Sequence, residues 1–193
     1  LGRDILYPIN RSITGEGIRQ TLEIIKNEFP NLKIKKVKSG TKVFDWTVPP
    51  EWNVKEAFFK DKDGKKIIDF KKNNLHLLGY SAAIKKKISK NELLSRILTL
   101  KKQPNAIPYI SSYYKKTWGF CTSFNQKKKI EKDYNQKDYF TILIDSKLDK
   151  KGVLNYGELV LKGKTKDEIL ISTYICHPSL ANNELSGPIV SMA

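Results

Sequence analysis

Glu168-Ile169-Leu170-Ile171-Ser172-Thr173-Tyr174-Ile175-Cys176-His177 is the stretch on which the fold class turns. Ile169, Leu170, Ile171 and Ile175 put apolar side chains on both faces of an extended segment. Strands covered by helices on both sides read this way, so the run predicts a central strand of an α/β sheet. It delivers His177 at its carboxyl end, followed by a polar loop over 178–184. Leu185-Ser186-Gly187-Pro188 then opens a helix, with Ser186 or Gly187 as cap and Pro188 at an early position. Ligands of open α/β sheets bind outside the carboxyl ends of the strands, which is where this arrangement places His177.

Imidazole is a good zinc ligand, and an oxygen donor from the following loop can complete part of a coordination sphere. His177, Asn183 and Glu184 are therefore the candidate metal residues, with the positive end of the next helix close by. The competing reading of the same spacing is a strand-end histidine with satisfied hydrogen bonds and an ordinary loop. Cys176 next to His177 suggests a thiol–imidazole pair. Consecutive strand residues face opposite ways, so the two side chains meet only if the strand ends before Cys176. His76, the other histidine, lies among short β-prone runs and reads as structural.

Upstream, residues 15–29 repeat apolar positions at Ile18, Leu22, Ile25 and Phe29, one face of a helix entered at Thr14 and stopped at Pro30. A strand over 32–37 follows. From Asp45 to Ser112 the texture changes to short β-prone runs and turns, including a hairpin signal at Asp63-Gly64 and a strand candidate over 75–80. Ser89 and Glu92 form a capping box ahead of a short helix over 93–98. A helix over 121–130 and strands over 139–144 and 154–161 come next, the last with Gly157 as a bulge candidate. Residues 45–112 thus read as a β-rich insert, and 1–44 with 113–193 as an α/β domain.

The 193 residues carry a net charge of +16, with 39% hydrophobic and 10% aromatic side chains. Only Arg3, Arg11, Arg19 and Arg96 are arginines; the remaining basic residues are lysines in scattered pairs and triplets. Readers of phosphates and bases concentrate arginine, whereas dispersed lysine reads as a solvated surface. A nucleic-acid partner is disfavoured accordingly, and its mark would be affinity falling steeply with salt. No apolar run reaches the length of a membrane span. Without a signal-peptide pattern at Leu1-Gly2-Arg3-Asp4, and with only Cys121 and Cys176 as thiols, a cytoplasmic protein with reduced cysteines is expected. The chain lacks an initiator Met, so a trimmed N-terminus is expected as well.

Leu154 to Gly163, Asp167 to Ser172, His177 and Asn182 to Gly187, taken in order, resemble the first half of a co-catalytic zinc aminopeptidase. More narrowly, Pro8 to Leu22, Ser39 to Asn53, Tyr113 to Cys121 and Ile175 to Pro188 are similar to motifs of bacterial zinc-aminopeptidase-like proteins associated with polysaccharide biosynthesis. The resemblance covers nearly the whole chain. It implies a phosphorylase/hydrolase-like mixed sheet flanked by helices, truncated here, with a small inserted β-rich domain. It further implies one or two zinc ions, a metal-binding His177, and amide hydrolysis of a peptide-like or other amide-containing small substrate by metal-activated water. The general base and further zinc ligands are expected beyond residue 193. This fragment is accordingly expected not to hydrolyse peptides alone. Two residues depart from the pattern: Asn183 stands where the family carries the bridging Asp, and Ser179 stands where a carboxylate orients the histidine. A neutral amide is a poor bridge between two dications. The departures therefore raise an alternative, a non-catalytic binding or scaffold relative that has lost its metals.

Overall fold

The computed structural model describes residues 2–193. A π-helical turn over Gly2–Leu6 leads to α1 (Glu16–Glu28), β1 (Lys33–Lys38), β2 (Lys42–Val43), β3 (Trp46–Thr47), β4 (Glu51–Lys60) and β5 (Lys66–Asp69). After a 3-10 turn over Asn74–His76 come β6 (Ile84–Ser89), α2 (Lys90–Ser95), β7 (Ile97–Leu98), β8 (Phe120–Cys121), α3 (Phe124–Asp133), β9 (Tyr139–Asp149) and β10 (Val153–Glu158). Two short helices close the chain, α4 (Ala181–Glu184) and α5 (Ser186–Met192). The chain is thus a mixed α/β protein. No described helix is long and apolar enough to cross a membrane.

Two compact units emerge, one running up to Glu51 together with Asp149–Ala193, the other spanning Trp52–Leu148. The second is longer than the stretch 45–112 marked by sequence texture. Its extent follows from pairing: β9 hydrogen-bonds to β6 from Ile84↔Ile144 to Ser89↔Tyr139, which draws the later strand into the same sheet.

In the first unit, α1 buries Ile18 and Leu22 and packs against β10. β10 runs antiparallel to β1, from Lys33↔Glu158 to Lys38↔Val153 without a break in register. Gly157 is therefore not a bulge. A Cβ there would lie 3.1 Å from Leu22 and 3.3 Å from Leu32, so the missing side chain lets α1 approach the strand. The helix is also entered one residue later than Thr14 predicts: Gly15 is the N-cap, at φ 98°, and makes no side-chain cap bond. A left-handed φ suits glycine, and that conformation sets the entry point. Arg19 of α1 pairs with Glu51 at 2.7 Å, and Glu51 accepts the Val153 N–H at 2.9 Å, tying the two sequence segments of this unit together.

The second unit is built on a four-stranded sheet in the order β5-β4-β9-β6. Phe140, Ile142 and Ile144 alternate inward along β9, and Phe59 of β4 meets Phe120 and Phe140 edge-on at 5.2 and 6.1 Å. The Asp63-Gly64 turn forms as expected: Asp61 accepts the N–H groups of Asp63 and Lys65, and Gly64 takes φ 82°. Ser89 and Ser123 cap α2 and α3 through their hydroxyls. Over 75–80 the expected strand is replaced by the turn and isolated bridges at Leu77 and Gly79. Tyr80 adopts φ 64°, a left-handed conformation that an extended strand excludes. His76 is structural, its Nδ1 2.9 Å from the Cys121 carbonyl oxygen.

The largest departure concerns 168–176. No strand forms there, and none of the ten strands pairs with it among the described residues. Ile169 and Leu170 are 93% and 88% exposed. A strand needs ladder partners for its N–H and C=O groups; apolarity signals a wish for burial but supplies no partner. Ile171 and Thr173 to Cys176 instead line an apolar groove of about 490 Å³, together with α1 and β10.

Candidate metal centre

A small apolar core of Leu6, Ile9 and Leu185, with Ile24 and Ile189 packed on it, positions the polar residues attached to it. Leu185 is buried, and its neighbour Glu184 at the end of α4 is wholly buried too. Leu6 and Ile9 anchor the segment that carries Arg11, whose side chain is completely buried and donates through Nη1 to the Leu6 carbonyl. Ser179, at φ 51°, turns the chain between His177 and α4.

Glu184 reaches back to His177 twice. Its Oε2 accepts the His177 backbone N–H at 3.0 Å, and its Oε1 contacts the ring Nδ1. The imidazole keeps 24% of its side chain exposed, whereas the carboxylate keeps none. One ligand atom each from Cys176, His177 and Glu184 lies within 4.8 Å of the others. Because 168–176 is not a strand, the alternation that would separate Cys176 from His177 does not operate. The close approach of this segment to α5 rests on Gly187, where a Cβ would stand 2.1 Å from Thr173 Oγ1. Asn183 takes no part in the buried pairing. It is exposed, and its amide nitrogen lies 3.4 Å from the Tyr174 hydroxyl. Neighbours on a helix point about 100° apart, so burying Glu184 turns Asn183 outward.

The electrostatics follow from burial and pairing. Burial opposes charging of His177, but hydrogen bonds and charges from Cys176 and Glu184 outweigh it and raise the imidazole to about 10. Burial lowers Arg11, while Glu184 and Cys176 act against that decrease. Arg11 is thus a cation held within electrostatic reach of both residues. The other thiol, Cys121, is pushed up to about 12 by burial alone and is chemically inert by comparison.

Residues 3–193 match the family model described as "Domain of unknown function (DUF4910)". The chain belongs to the DUF4910 family. It is 48% identical over 182 residues to a Clostridium acetobutylicum protein named "Putative polysaccharide biosynthesis protein with aminopeptidase-like domain", a match covering 94% of this chain and 40% of that one. Its structure is similar to the crystal structure of a "putative peptidase" from Clostridium acetobutylicum, with TM-score 0.89 and 46% identity over 97% of this chain and 43% of the other. This DUF4910 chain therefore spans about two fifths of the length of the relatives it matches, and it shares the fold of that crystal structure over this span.

Two residues of the DUF4910 centre escape a reading of the sequence. Cys176 is set aside by strand alternation. Arg11-Ser12, ahead of the first helix, reads as a capping pair, with lining of the cleft as the alternative. Its signal is compositional: in a chain with 36 basic residues and only four arginines, an arginine marks a place where a rigid, permanently charged fork is needed.

Proposed function

We propose that this chain contributes part of a zinc centre to an aminopeptidase-like hydrolase acting on an amide bond of a peptide-like or amide-bearing small molecule. Support comes first from one observation: a histidine and a fully buried carboxylate are held against each other with a thiol within 4.8 Å. Imidazole, carboxylate and thiolate are all donors that zinc accepts, so this set would suit the ion once the direct His177–Glu184 contact opens to admit it. A zinc ion held there supplies Lewis-acid polarisation of a carbonyl and of an attacking water.

The chain's own residues have defined parts in this reading. His177 offers its ring and Glu184 a carboxylate oxygen. The Glu184 Oε2 bond to the His177 N–H keeps the loop closed around both. Arg11 balances the negative charge that the ligands gather. Asn183 is an outer contact: its exposed amide carries no charge with which to bridge two dications. Glu184 is committed to His177, so it is not assigned as the base that hydrolysis requires. The name of one relative, a polysaccharide biosynthesis protein with an aminopeptidase-like domain, supports a substrate from that chemistry, and this reading takes it to be a precursor bearing an amide.

A second reading has its own support. Glu184 already serves as the counter-charge of protonated His177 and lies within electrostatic reach of Arg11, so its carboxylate is engaged without an ion. A binding or scaffold protein would keep such a cluster as a structural lock. Zinc titration of the purified chain against a chromophoric chelator separates the readings. The hydrolase reading expects about one equivalent bound, with the binding lost in His177→Ala. Saturation of the chelator with no zinc retained by the chain refutes it and leaves the structural lock.

A further inference from the structure

We infer that Cys176 is a direct metal ligand, completing a sulfur–nitrogen–oxygen donor set with His177 and Glu184 that takes a thiophilic divalent ion. This rests on the zinc-centre reading above and specifies its donors. Three independent features point to the sulfur. First, its Sγ shares the 4.8 Å cluster with a ring nitrogen and a carboxylate oxygen, although the side chains of adjacent strand residues would diverge. Irregular backbone over 168–176 is what permits the convergence. Second, the oxygen donor is immobilised: Glu184 is fully buried and fixed by the His177 N–H at 3.0 Å, so the cluster is a built site and not a chance meeting of surface groups. Third, the buried Arg11 guanidinium is electrostatically coupled to both Cys176 and Glu184. Two anionic ligands around a dication sum to zero, and the arginine lowers the cost of gathering those anions in a buried place.

The donor set predicts selectivity. Thiolate and imidazole favour zinc and cobalt, whereas magnesium and calcium demand oxygen cages that this cluster does not offer. Cys176 is half-buried, whereas Cys121 is wholly buried. The two thiols can therefore be told apart chemically.

The test is cobalt(II) titration of the full chain, followed in the visible and near ultraviolet. Wild type and Cys121→Ser are expected to develop visible ligand-field bands and a near-ultraviolet thiolate-to-cobalt charge-transfer band at one equivalent. Cys176→Ser is expected to lose the charge-transfer band and to bind cobalt more than ~100-fold more weakly, beyond the loss usual for outer-shell partners. Visible bands with no charge-transfer band in wild type, or equal affinity in Cys176→Ser, overturn the sulfur assignment and leave a metal site of other donors. No cobalt bound at all overturns both the assignment and the zinc-centre reading. Should Cys176→Ser fail to fold, alkylation of wild type by iodoacetamide decides: saturating zinc protects Cys176 if it is a ligand, and unchanged alkylation of Cys176 overturns the assignment.

Discussion

Replacing Glu184 by Gln in metal-free protein tests the electrostatic core of the site. The carboxylate is fully buried, accepts the His177 N–H at 3.0 Å, contacts the ring Nδ1 and faces the buried Arg11 cation. Gln preserves the volume and an acceptor oxygen but removes the charge. Breaking a buried pair by neutralising one partner typically costs ~3–5 kcal/mol, because the remaining charge stays desolvated. Here Gln retains one hydrogen bond and the His177 ring is 24% exposed, so the expected loss is smaller, about 2–4 kcal/mol. The sign of the pH dependence follows from His177. Its folded-state value is raised to about 10 against an unfolded value near 6.5, so the imidazolium's stabilisation is fully present below ~6.5 and disappears as pH rises through about 10. Urea denaturation of both proteins, followed by far-ultraviolet circular dichroism after chelator treatment, should therefore show a wide gap at pH 6. That gap should narrow above pH 10 to the part owed to Arg11. A difference under ~0.5 kcal/mol at pH 6, within the range of an ordinary surface substitution, refutes the reasoning.

Zinc binding should itself depend on pH, because the ion must displace the His177 proton. Affinity is expected to rise at least tenfold per pH unit between about 6.5 and 9, and more steeply if Cys176 also gives up its proton to the ion, measured by competition with a chelator corrected for its own protonation; a flat profile removes His177 from the ligands. Gly187→Ala places a Cβ 2.1 Å from Thr173 Oγ1, so it should displace the segment carrying Cys176 and His177, cost about 1–3 kcal/mol and weaken zinc binding. Adding Thr173→Ala should recover part of both losses in calorimetric titration. Phe59→Ala in the second unit removes a fully buried ring in contact with Phe120 and Phe140 and should cost ~3–5 kcal/mol in urea denaturation.

Local chemistry proved the most readable part of the sequence. Ser89 caps a helix because its hydroxyl meets the free N–H of Glu92 three residues on, a rule needing no tertiary knowledge, and Ser123 does the same for α3, which starts at Phe124 and not at the expected 121. The alternation of Phe140, Ile142 and Ile144 likewise marks a half-buried strand from sequence alone. Gly157 shows where such rules end: its absent side chain suggests a bulge, yet what it provides is room for Leu22 and Leu32. The run at 168–176 fails for a related reason. Periodicity reports which side chains avoid water, whereas strand formation depends on a hydrogen-bonding neighbour that periodicity does not name. The error propagates to Cys176, because alternation was the ground for separating it from His177. His177 and Glu184, by contrast, were singled out by residue type and loop position, which do not depend on the strand, and the structure brings the two into contact.

The same three charges bear on whether the chain is a metal-binding or a structural member of its family. Without an ion, Glu184 serves His177 and Arg11 at once. With one, it must yield an oxygen to the metal, and His177 must give up a proton held up to about 10. Metal binding at this centre is therefore an exchange and not a simple addition, and the existing pairing lowers the net affinity. Arg11 does not yield in that exchange, because its guanidinium stays charged throughout. It repels an incoming dication, and a thiolate ligand from Cys176 would reduce that repulsion. Under the sulfur assignment the balance shifts: with the arginine counted, a zinc ion on nitrogen and oxygen alone leaves a net charge of about +2, whereas a thiolate ligand reduces it to about +1, so the sulfur lowers the electrostatic cost of filling the site.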